Sequence, residues 1–209
     1  MTALVNRSLL SLVGGITGVL VLGFGLAYAL GAPPFEEEKG EIKDSAVCKT
    51  LGSSSGSAGA LRKVLPDKSS YSFDDQFMHR RTDDTDRTYE TSCFVNGDGK
   101  MLLVATAEMV RYDKADEWVQ DVVANASMSS DVTSFQAGDK AVASRRIAAI
   151  YVPCRDKGPR EHLSVVVELK QRSGAGDAEA REGLVSLARN AAVFAHQQAK
   201  CDAPAKVAG

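Results

Sequence analysis

The sequence predicts an α+β fold, a mainly antiparallel sheet packed against helices, preceded by one membrane-crossing helix. Three observations carry that reading. Residues 8–31 are uncharged and almost wholly apolar. Beyond them, strand-like segments follow one another through short turn signals, which favours antiparallel pairing. Two further stretches, 114–126 and 177–200, place apolar residues at helical spacing and must cover a face of that sheet.

The apolar run comes first. No Asp, Glu, Lys, Arg or His lies between Ser8 and Phe35. About 20 helical residues cross a hydrocarbon core of roughly 30 Å, so the run is long enough. Arg7 flanks one side, and Glu36, Glu37, Glu38 and Glu41 crowd the other. Basic flanks stay cytoplasmic, so residues 1–7 are expected in the cytoplasm and the rest of the chain outside the cell. Ala27-Tyr28-Ala29 resembles a signal-peptide cleavage site, but the apolar segment is longer than such a peptide needs. A stripe of small residues (Ser11, Gly14, Gly18, Gly25, Ala29) contains one G-x-x-x-G. Such a stripe lets two helices approach closely in lipid, a potential face for a second copy or a partner helix.

Pro33-Pro34 ends the helix, and residues 32–43 read as a charged stalk. The domain is expected over 44–202, with 203–209 a flexible tail. All 27 acidic residues and 24 of the 25 Lys and Arg lie beyond residue 35. That mildly acidic balance argues against a nucleic-acid surface or a polybasic lipid patch.

Asp44 or Ser45 is expected to cap a first helix that includes Val47, Cys48 and Leu51. Gly52–Gly59 reads as a flexible loop by composition, with neither a P-loop nor a Rossmann pattern around it. A helical turn over Ala60–Leu65 stops at Pro66. Tyr71, Phe73 and Phe77 alternate as in a half-buried strand. Arg80–Arg87 is a charged loop whose Asp83, Asp84 and Asp86 lack calcium-loop spacing. Tyr89–Val95 is a strand with Tyr89, Thr91 and Cys93 on one face. Asn96-Gly97-Asp98-Gly99 turns it back into Met101–Arg111.

Asp113 is expected to cap the helix 114–126, with Ala115, Trp118, Val119, Val122 and Ala126 on one side and Trp118 in the core. Val132–Ala137 is extended or irregular, and Gly138-Asp139 turns. Ala141–Arg145 and Ile147–Cys154 are strands, bent at Arg145-Arg146, a small positive spot. A polar loop, Arg155–Glu161, leads to Leu163–Leu169, whose β-branched residues mark the clearest strand. Ser173–Gly176 is a second flexible connection. Asp177 is expected to cap the last helix, with Leu184, Leu187, Ala188, Ala191, Phe194 and Ala195 facing inward.

Four cysteines beyond a membrane crossing suggest disulfides, and none has C-x-x-C spacing. Matching helix to helix and strand to strand predicts Cys48–Cys201 and Cys93–Cys154. The histidines, His79, His162 and His196, read as surface or strand-margin residues. There is no G-x-S-x-G elbow and no H-E-x-x-H zinc motif. No catalytic residue, cofactor or metal ligand is assigned.

Cys48-Lys-Thr-Leu51, Leu65-Pro66, Ser92-Cys93-Phe94, Phe135–Ala141 and Leu163–Leu169 follow a shared order. In it the chain resembles small membrane-tethered or lipoprotein extracytoplasmic domains of actinobacteria. It is distantly similar to the extracellular sensor domains of mycobacterial serine/threonine kinases. The resemblance spans roughly residues 48–169, with a transmembrane run in place of a lipidated cysteine. It implies an envelope location and an α+β disulfide fold, and carries over no active-site residue. The expected role is a single-pass, membrane-anchored extracytoplasmic binding or interaction module, taking an envelope protein or a small ligand. The alternatives are an envelope assembly factor acting through its membrane helix and a hydrolase with an unmarked site. A histidine buried beside Ser and Asp in a cleft would favour the hydrolase.

Overall fold

The computed structural model describes residues 40–52, 54–81, 86, 88–111, 114–126, 131–156, 161–172 and 174–207. The expected cytoplasmic segment, membrane helix, Gly14/Gly18/Gly25 stripe and most of the stalk lie outside the described residues. So do Asp83, Asp84, Asp113 and Ser173. Among the described residues no helix is long and apolar enough to cross a membrane.

The described residues form one seven-stranded, wholly antiparallel sheet with three helices. The strands are β1 (Tyr71–His79), β2 (Glu90–Gly97), β3 (Lys100–Val110), β4 (Thr133–Ser134), β5 (Lys140–Ala143), β6 (Ile147–Pro153) and β7 (His162–Leu169). The helices are α1 (Ser54–Val64), α2 (Ala115–Asn125) and α3 (Asp177–Gln198). The order across the sheet is β1-β2-β3-β7-β6-β5-β4. Two meanders therefore meet at their last strands, β3 and β7, in register from Leu103↔Leu169 to Val110↔His162.

Alternation along the strands splits the side chains between two faces. Leu103, Ala105, Leu163, Val165, Ile150 and Val152 join the larger core, under α1 and α3. Ile147, Ala149 and Tyr151 of β6 point the other way, into a smaller core closed by Trp118 and Val122 of α2. β6 is buried on both faces, which is why its sequence is a continuous apolar run. α2 thus forms a separate layer over β6, across the sheet from α1 and α3. The β2–β3 turn is Asp98-Gly99, both at positive φ (49° and 72°), as a two-residue type I′ hairpin requires.

Both disulfides differ from the expected pairing: they are Cys48–Cys93 and Cys154–Cys201. The strand order explains why. β3 and β7 lie between Cys93 on β2 and Cys154 at the end of β6. Three strand spacings are about 14 Å, twice the reach of a disulfide. Each bond instead crosses layers. Cys48 pins the segment before α1 to β2, beside a buried hydrogen bond between the Thr50 and Thr91 hydroxyls at 2.7 Å. Cys201 pins the end of α3 to β6, where Asp202 N donates to the Cys154 carbonyl.

Several local expectations are also corrected. The region around Cys48 forms two single 3-10 turns, Asp44–Ala46 and Lys49–Leu51, rather than one α-helix. The glycine-rich stretch is not a loop: α1 begins at Ser54. Tertiary packing overrides its composition. Ser57 and Ala58 are fully buried, and the Ser57 hydroxyl donates to the Leu51 carbonyl at 2.5 Å while accepting from Asn190 Nδ2 of α3. The helices run so close that a Cβ on Gly183 of α3 would sit 2.3 Å from a Val64 methyl. The cap of α3 is Gly176, and Asp177 is its first helical residue. Arg81, expected in a solvated loop, is 5% exposed and donates to the Ala199 and Lys200 carbonyls. A cation there complements the negative end of α3.

The packed unit also extends past both expected limits. Ile42 is buried, and Gly40 N donates to the Lys68 carbonyl. At the other end Ala203 and Val207 are buried, and Gly138 N donates to the Lys206 carbonyl. Residues 203–207 are therefore a strap laid back on the domain.

Candidate functional site

The densest group of chemically capable side chains lies at the Pro153 end of β6. Gly138 creates it. Its φ is +56°, and a Cβ there would fall 2.3 Å from the Tyr151 carbonyl oxygen. Glycine lets the turn lie directly on β6, and Asp139 N then donates to that same carbonyl at 2.8 Å. The Asp139 carboxylate is thereby placed to accept from His162 Nε2 at 3.0 Å and from Lys206 Nζ at 2.8 Å. The His162 ring lies on Tyr151, centroids 3.9 Å apart and 7° from parallel, and Tyr151 stacks in turn on Trp118. The Trp118 indole N–H donates to the Ser164 hydroxyl at 2.9 Å.

His162 opens β7, at the strand margin as expected, but it is only 8% exposed and so not a surface residue. His79 is exposed beside Glu90, and His196 Nε2 donates to the Ala203 carbonyl. His162 thus meets part of the condition for a hydrolytic site: it is buried and oriented by a carboxylate. Among the described residues no hydroxyl is hydrogen-bonded to it as a nucleophile. Asp139 engages Nε2, so Nδ1 would have to activate a hydroxyl. Nδ1 is buried without a hydrogen-bond partner. Ser164, two residues along the same strand, uses its hydroxyl oxygen to accept from Trp118. The geometry is that of a structural clamp on the C-terminal strap.

Burial disfavours the ionised Asp139 carboxyl, but the bonds from Lys206 and His162 outweigh it and hold the carboxyl below the usual range. A depressed carboxyl contributes stability above its unfolded-state pKa and loses it as pH falls through the folded value. Asp139→Asn is therefore expected to destabilise the chain at neutral pH, with the deficit closing below about pH 4. Urea unfolding of both forms at neutral and acid pH measures this; a deficit independent of pH would contradict it.

Glu161 is another buried group that the sequence placed in a polar loop. It is 1% exposed, with Arg155 Nε at 3.3 Å and Arg111 Nη2 at 3.6 Å. Burial, with Asp75 nearby, pushes the Tyr89 phenol up and keeps it neutral. Among the described residues no three His, Cys, Asp or Glu side chains converge as a metal site, and no cysteine is free.

Two open hollows flank this framework at opposite ends of β6. One, about 540 Å³, is lined by Phe135, Gln136, Gly138, Asp139 and Lys206 among others. The other, about 350 Å³, opens beside the Arg145-Arg146 turn and the start of α3. Both lie in the size range of small-molecule sites. The sequence singled out Arg145-Arg146 but not Arg181, which joins them there from α3. Asp139 and Lys206, 67 residues apart, carried no signal of their meeting.

The fold and site define an antiparallel α+β domain closed by two cross-layer disulfides, with open hollows on its surface. No protein-family model, curated protein or solved structure matches the chain.

Proposed function

We propose that the chain is a single-pass, membrane-anchored extracytoplasmic binding module of the cell envelope, without catalytic activity. The observation that carries this reading is the closure of all four cysteines into two disulfides. Such bonds persist in oxidising compartments. The uncharged residues 8–31, with Arg7 before them and the glutamates after, supply a way for the domain to reach one. The resemblance to tethered actinobacterial domains points the same way. A binding role fits open hollows of ligand size and a buried histidine whose Nδ1 makes no hydrogen bond to a hydroxyl among the described residues.

A reporter enzyme that works only in the cytosol, fused to the C-terminus of the full chain, tests the topology. The fusion is expected to be inactive in cells that make it in full, while the same reporter fused ahead of residue 1 is active. An active C-terminal fusion would refute the placement.

A further inference from the structure

Arg145 and Arg146 form the turn from β5 to β6, Arg172 follows β7, and Arg181 stands in the second turn of α3. The chain brings the four together around two adjoining hollows. The larger, about 350 Å³, is bordered by Arg145, Arg146 and Arg181; the smaller, about 170 Å³, by Arg145, Arg146 and Arg172. Against these four positive charges the linings hold two negative ones, Asp131 and Asp177. A local excess of two positive charges thus stands on a chain whose net charge is −2.

Little of that charge is neutralised within the fold. Among the described residues, the ion pair made by these arginines is Arg145 with Asp177 at 3.2 Å, both side chains more than half exposed. Such a pair contributes little and exchanges readily. Arg146 gives one N–H to the Leu169 carbonyl at 3.3 Å and keeps the rest of its fork. Arg181 Nε is buried without a hydrogen-bond partner. Like charges held around one space repel each other, and an anion placed between them relieves that repulsion. Guanidinium forks match phosphoryl oxygens in pairs.

We propose that the joined hollows bind a diphosphate group, free or carried on a lipid, with one phosphoryl in each hollow. Arg145 and Arg146 border both, so they bridge the two phosphoryls. Arg181 closes on one and Arg172 on the other. The site is discrete and shows no aromatic side chain among its described lining residues, unlike a nucleic-acid groove. This names a ligand class for the binding module and rests on that reading.

Calorimetric titration of the full-length chain in lipid nanodiscs tests it. The probes are inorganic diphosphate, farnesyl diphosphate as the lipid-borne form, and citrate as a comparably charged anion without phosphorus. Saturable binding of one diphosphate per chain is expected, weakened about tenfold or more by Arg146→Gln or Arg181→Gln. Arg172→Gln, at an exposed position where folding is not at stake, should weaken it as well. Tighter binding of the farnesyl ester would assign the group to a membrane lipid, and tighter binding of the inorganic ion to solution; both support the site. Absence of saturable diphosphate binding, equal affinity for citrate, or unchanged affinity in all three variants would overturn it. None of these outcomes moves the reporter-fusion result, so loss of the diphosphate assignment and loss of the anchored-module reading are told apart.

Discussion

Replacing Cys154 and Cys201 together by alanine is expected to cost about 4 kcal/mol of stability, since the bond closes a loop of sequence separation 47. The cost should fall unevenly over the molecule. Cys201 holds the strap against β6, and the strap delivers Lys206 to Asp139 and the Lys206 carbonyl to Gly138 N. Without the bond, amide exchange should accelerate first at Gly138 and along residues 199–207, before the central strands. The Cys48–Cys93 bond closes a similar loop, of separation 45, and its removal should cost about as much. Its exchange signature should differ, centring on Thr50 and Leu51. Urea unfolding with residue-resolved hydrogen exchange separates the two variants. Equal loosening of both ends in either variant would contradict the assignment of one bond to each end.

Trp118→Ala is expected to cost about 3–5 kcal/mol, the range for emptying a large buried aromatic site. Trp118 is 1% exposed and is the largest side chain in the smaller core. Its loss removes three things at once: the volume between α2 and β6, the ring stacked on Tyr151 at 5.0 Å, and the donor to Ser164. The larger core lies across the sheet from α2, so α1 and α3 should keep their protection while α2 loses its own. Trp118→Phe retains a ring against Tyr151 and forfeits the indole N–H, so it should cost less. If the phenylalanine variant were as damaged as the alanine one, the hydrogen bond to Ser164 rather than packing would dominate.

Much of the fold is legible in local sequence because hairpins and helical stripes are local signals. Asp98-Gly99 announces its own turn, and the stripe through Trp118, Val119 and Val122 announces the face that α2 buries. The larger departures depend on partners distant in sequence. Cys93 and Cys154 looked compatible until β3 and β7 came between them, and strand order is not written in any one strand. Gly56 and Gly59 read as loop because helix propensity is low there. What secures the stretch as a helix is α3, more than 100 positions away: Asn190 bonds the Ser57 hydroxyl, and Gly183 leaves room for Val64. His162 and Arg81 looked solvated because charge and polarity suggest water. Asp139 accepts from one ring nitrogen of His162, and the carbonyl end of α3 accepts from Arg81. The arginine hollows were half visible: Arg145-Arg146 stood out as a pair, whereas Arg172 and Arg181 join them only once β7 and α3 are in place.

The proposed role requires a domain that folds in oxidising surroundings beyond a membrane. Its most direct test is to block free thiols in intact cells making the full chain, then to map its peptides without reduction. Peptides joining Cys48 to Cys93 and Cys154 to Cys201, with no blocked cysteine in the mature chain, are the predicted result. Four blocked, unlinked cysteines would contradict the compartment, the bonds and the proposed role together.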